Sequence, residues 1–150
     1  MRDDRAVSVT VGYVLNFAIA SLLLSALLVG GGGLIEGQTS QVTHDELAVT
    51  GQQLASDLTS ADRLARAGNL TELTVRSDLQ TRTAAGSYTI EIEYDDSTGT
   101  GAIELRSVNP EVVVRVPFRS EADIREATVS GGPVVLEYDD GGDELAVMSS

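Results

Sequence analysis

The sequence predicts an α+β fold: a long N-terminal hydrophobic helix, a second amphipathic helix, and then a small antiparallel β-sheet head domain. Three observations predict it. Residues 7–29 carry no charge, apolar residues recur at helical spacing within residues 38–67, and later runs alternate apolar and polar side chains between turn clusters. The chain therefore divides into a charged leader (1–6), a hydrophobic transmembrane or assembly helix (7–29), a Gly-rich hinge (30–37), an amphipathic helix (38–67) and an antiparallel β head (68–150).

The hydrophobic span comes first. Val7–Val29 would reach about 34 Å as a helix, enough for a bilayer core of about 30 Å. It is longer than the roughly 7–15 apolar residues of a secretory signal, and no convincing A-x-A cleavage site follows it. Arg2 and Arg5 precede the span, and no further Arg or Lys appears until Arg63. The positive-inside rule then predicts a cytoplasmic N-terminus and an extracytoplasmic head. Small residues Gly12, Ser21 and Ser25, with the polar Asn16, suit close packing against another helix, which would also give the Asn16 amide a partner.

Four glycines, Gly30, Gly31, Gly32 and Gly33, close the span. Each costs about 1 kcal/mol of helix stability relative to Ala, so a hinge or melted segment is expected. It serves either as a flexible linker or as a helix that unwinds during assembly. Beyond it, Leu47, Gly51, Leu54, Leu58, Ala61 and Ala65 follow alternating steps of four and three and form one apolar stripe, with Asp57, Asp62 and Arg63 off it. Asp62 and Arg66 are spaced to pair, and Gly68-Asn69 supplies a stop. The stripe is expected to pack on the head's sheet, with an inter-subunit coiled coil as the rival arrangement.

In the head, "SYTIEIEY" alternates Tyr88, Ile90, Ile92 and Tyr94 with Thr89, Glu91 and Glu93. Further runs carry Leu73, Val75 and Leu79; Ile103 and Leu105; Val112, Val114, Val116 and Phe118; Val134, Leu136 and Tyr138; Leu145 and Val147. The turns "DDSTGTG", "SVNPE", "SGGP" and "DDGGD" separate them. A meander of about six strands is expected, one face dry and one wet. Pro117 within its run implies an edge or a bulge.

Composition excludes several functions. There is no cysteine and one histidine, His44 beside Asp45 and Glu46, so Cys-based metal sites and His dyads are out of reach. Twenty-three acidic residues against ten basic ones, all Arg, give a net charge of −13. That surface repels nucleic acid, and its self-repulsion is tolerable where dense salt screens it, which points to a halophilic, archaeal source. "DDSTGTG" and "DDGGD" lack the full calcium-loop spacing. No nucleophile elbow, phosphate loop or zinc motif occurs, so neither an enzyme nor a cofactor is expected. Asn69-Leu70-Thr71 is a glycosylation sequon, with Asn69 as acceptor.

The stretch "DDRA|VSVTVGYVLNFAIASLLL" resembles haloarchaeal type IV pilin-like proteins, whose charged leader ends in a small residue before a helix beginning near "AVSPVIG". The resemblance implies cleavage by a prepilin peptidase between Ala6 and Val7 and retention of the helix in the membrane. From there the helix would pass into a filament core, against other pilin-like subunits. Val9 replaces the common proline, and Val11 stands where bacterial pilins carry glutamate, so a minor or accessory subunit is implied. The alternative is an uncleaved, membrane-anchored extracytoplasmic binding domain.

Overall fold

The computed structural model describes residues 3–67, 70–139, 141 and 143–150, with the side chains of 3–9 and 33–36 left out. It divides into two units, residues 1–38 and 39–150. The fold is α+β, with one helix, α1 (Asp3–Ala67), preceding the strands.

Within residues 39–67, α1 buries Leu47, Leu54, Leu58, Ala61 and Ala65, the side chains of the expected stripe. The stripe packs on the sheet rather than seaming a coiled coil. Gly51 shows how closely: a Cβ there would fall 2.7 Å from Leu105 Cδ1 and 2.8 Å from Val116 Cγ2. Only glycine lets backbone and sheet side chains approach so nearly. Where two helices separated by a hinge were expected, α1 is one helical element that includes Gly30–Gly33. The physical reason is hydrogen bonding: a helix pairs its backbone groups within itself, which offsets the low helix propensity of glycine.

Among the described residues there are eight strands, β1 (Glu72–Ser77), β2 (Tyr88–Asp95), β3 (Thr100–Val108), β4 (Glu111–Arg119), β5 (Asp123–Ile124), β6 (Ala127–Ser130), β7 (Val134–Asp139) and β8 (Glu144–Ser149). They form two four-stranded sheets, ordered β1-β7-β8-β5 and β4-β3-β2-β6. The expected single meander is therefore corrected. β2, β3 and β4 do run as hairpins, but β6 returns to the free side of β2, and β1 pairs with the distant β7. Every pairing is antiparallel except the two-residue contact of β5 with β8.

Alternation sorts the faces as the sequence implies. Tyr88, Ile90 and Ile92 of β2, Ile103 and Leu105 of β3, and Val112, Val114 and Phe118 of β4 point into one core shared with α1, Leu136, Tyr138, Leu145 and Val147. Leu79, read as part of a strand, is instead buried from the loop after β1. Pro117 lies in β4, an edge strand, as its missing N–H requires. The β2–β3 turn is built by Asp95: its carbonyl accepts from Gly99 N at 2.9 Å, and its Oδ1 accepts from Ser97 N at 3.0 Å. Gly99 adopts φ +65, a conformation that disfavours any Cβ.

Candidate functional site

The first unit presents an apolar surface over its described residues 10–32. From Thr10 to Gly32 every residue is exposed, and the most apolar 18-residue window has a mean hydropathy of 2.1 with no part of it buried. Twelve large apolar side chains stand open there, among them Tyr13, Phe17, Leu22, Leu27 and Leu28. At about 1.5–3 kcal/mol per buried side chain, covering them is worth on the order of 20 kcal/mol or more. Among the described residues there is thus, near the N-terminus, one helix long and apolar enough to cross a membrane.

On this helix the hydroxyls of Ser21 and Ser25 donate to the carbonyls of Phe17 and Ser21, each at 2.9 Å. Both donors are satisfied inside the helix, so these residues offer little more than small size to a neighbour. Gly12, Gly30, Gly31 and Gly32 have open space where a Cβ would stand, so among the described residues none requires glycine there on steric grounds. Asn16 is exposed on the same span. Ala6 and Val7 lie in the helix but outside the described side chains, and Asn69 and Gly68 lie outside the described residues.

In the head, the charged groups are organised into ladders and latches. On the solvent face of β2, β3 and β4, Arg115 bonds Glu93 at 2.5 Å and approaches Glu104 at 3.8 Å; Arg106 bonds Glu104 at 2.7 Å and reaches Glu111 at 3.5 Å. Of these groups, Glu93 and Arg115 border an open cleft of about 1140 Å³ over the sheet face, which Glu91, Glu126, Thr128 and Arg119 also line. Asp62 is not the solvent-facing residue that its place off the stripe implies. It is 6 % exposed, accepts from Arg66 Nε and Nη2 at 3.0 Å, and accepts from the backbone N–H of Ala122 at 3.0 Å. Three more helix side chains hold the end of β1 and the segment after it: Asp57 accepts from Ser77 Oγ, Thr50 from Gln80, and Glu46 from Ala84 N. The spacing of Asp62 and Arg66 was readable; these long-range partners had no local signal.

Three carboxylates of the two acidic turns, Asp95, Asp139 and Asp143, bond within their own hairpins. Hydrogen bonds from Ser97 and Thr98 hold the Asp95 carboxyl below its ordinary range. Asp143 accepts from Tyr138 OH at 2.9 Å, and Asp139 from Gly141 N at 3.2 Å. His44 is exposed, 3.5 Å from Asp45. Among the described residues, no group of three or more metal-ligating side chains is placed to hold an ion.

No curated protein and no solved structure matches the chain. A family of unknown function, DUF7266, matches residues 2–148. With its apolar N-terminal helix and two-sheet head, the chain belongs to that family.

Proposed function

We propose that this protein is a type IV pilin-like surface or assembly subunit, inserted in a membrane by its N-terminal helix and displaying an acidic extracytoplasmic head. The observation that carries the reading is the wholly exposed apolar segment Thr10–Gly32, which follows a charged leader and precedes a folded head. A bilayer or the helices of other subunits supply the cover that this segment needs. In this reading a prepilin peptidase cuts between Ala6 and Val7, the N-terminus faces the cytoplasm, and Gly12, Asn16, Ser21 and Ser25 line the contact with pilin-like neighbours. The four glycines give the helix a place to unwind as the subunit moves from bilayer to filament. The net charge of −13 fits a saline, archaeal setting.

The test is the N-terminus of the protein isolated from its host's membranes, read by mass spectrometry. A start at Val7 supports the reading. A start at Met1 or Arg2 replaces it with an uncleaved anchored binding domain, and a start beyond Gly33 removes both.

A further inference from the structure

β4 is the longest edge in the head: nine residues, Glu111–Arg119, hydrogen-bonded to β3 on one side only. Its register fixes which backbone groups are open. Ser120 N donates to Gly99 O at 3.2 Å, continuing the ladder in which Phe118 faces Gly101 and Val112 faces Ser107. In an antiparallel pair, directly opposed residues exchange both bonds at every second position. Val112, Val114, Val116 and Phe118 therefore spend their N–H and C=O groups on β3. Glu111, Val113, Arg115, Pro117 and Arg119 turn theirs away from the sheet, and Pro117 has no N–H to offer.

We propose that this edge pairs with β4 of a second copy, antiparallel about a twofold axis at Val113, joining the two β4-β3-β2-β6 sheets into one of eight strands. The register follows from self-complementarity. With Val113 opposite Val113, each Glu111 faces the other copy's Arg115, so opposite charges flank an apolar centre. Pro117 falls beyond Glu111, opposite Asn109, where no ladder bond is lost. Centring the axis on Arg115 instead would set like charges against each other and place Pro117 inside the ladder.

Charges and proline also serve to guard edges against pairing. A guard repels its own copy, whereas this row, Glu–x–Val–x–Arg, attracts it. Both charged groups can take part. Glu111 is largely exposed, at 3.5 Å from Arg106, and the guanidinium of Arg115 has five N–H donors beyond which Glu93 and Glu104 leave some free. Val113 is 40 % exposed, an apolar side chain at the middle of an otherwise charged row. The pairing would form about six backbone hydrogen bonds. Holding copies in one membrane would raise their effective concentration enough for so small a contact to matter. The proposal does not depend on whether the leader is cut.

The chain has no cysteine, so single cysteines report register directly. Full-length Val113→Cys protein in lipid nanodiscs loaded with several copies, in molar salt, should form a disulfide dimer under mild oxidation. Opposed residues lie about 5.5 Å apart, within disulfide reach. Glu111→Cys alone and Arg115→Cys alone should not cross-link, since each stands about 13 Å from its own copy. The two variants mixed should give the heterodimer. Replacing Val113 with Pro in the Glu111→Cys and Arg115→Cys chains removes an edge N–H while leaving the β3 ladder intact, and should abolish that heterodimer. Equal cross-linking at all positions, or none at Val113, overturns the proposal; the latter leaves the edge guarded or taken by a different protein.

Discussion

Asp62 shows how one side chain joins distant parts of the chain. Its carboxylate closes the end of α1 through Arg66 and fixes the segment after β4 through the N–H of Ala122. Asp62→Ala removes the acceptor from a buried N–H and from a guanidinium. Leaving such a donor unmet costs about 1–3 kcal/mol, so thermal unfolding should fall by roughly 5–15 °C. Asp62→Asn keeps one acceptor oxygen and should lose less. Gly51 is the converse case, where an addition does the damage. Gly51→Val drives new atoms into Leu105 and Val116, and overpacking of this kind costs about 1–3 kcal/mol; denaturant titration of the two variants measures both effects.

Tyr88 adds a pH dependence. Burial pushes its hydroxyl above the ordinary tyrosine value, while the neutral group donates to Gln80 O at 2.5 Å. Burial likewise raises Tyr94, helped by nearby carboxylates, of which Asp123 acts most strongly. The unfolded chain loses these protons near pH 10, before the folded one does. Their stabilisation is therefore complete below about pH 10 and disappears as pH climbs through the higher folded values. Stability measured from pH 8 to 12 should fall on the alkaline side, and Tyr88→Phe should make that fall shallower.

At the scale of elements, α1 does two jobs along one helix. Residues 39–67 are held by a stripe of buried side chains on a sheet, while Thr10–Gly32 is exposed along its whole length. Because the hydroxyls of Ser21 and Ser25 already bond within the helix, Ser21→Leu with Ser25→Leu leaves no orphaned acceptor and makes the span more apolar. Membrane insertion of the double variant should be retained. Its association with other helices should weaken, because bulk replaces the small surface that permits close approach. Energy transfer between labelled helices in vesicles checks this; unchanged association would place the contact on another face.

For the whole molecule, charge governs how stability responds to the solvent. With a net charge of −13, the head's carboxylates repel one another at low ionic strength, and screening shortens the range of that repulsion from about 10 Å at 0.1 M salt to about 3 Å at 1 M. The melting temperature of the full chain in detergent should rise steadily with NaCl up to molar concentrations. The ladder of Arg106 and Arg115 with Glu93, Glu104 and Glu111 works in the other direction, since salt weakens attraction as well. A melting temperature that fell with salt would mean that such pairs outweigh the net repulsion.

The sequence by itself determined what depends on neighbours along the chain: the uncharged span, the stripe from Leu47 to Ala65, the alternation of β2, and the placing of Pro117 at an edge or a bulge. Each is a periodicity, or a local backbone constraint, readable over a few residues. Only the tertiary structure decided which strands pair, because alternation reveals a buried face and not the neighbour across it. β1 finds β7, and β6 finds β2, through hydrogen bonds and packing that no local pattern encodes. The same holds for Asp62, whose partner at Ala122 lies sixty residues away. The glycine run went the other way: local propensity favours a break, but the helical hydrogen bonds that satisfy the backbone carry α1 through Gly30–Gly33.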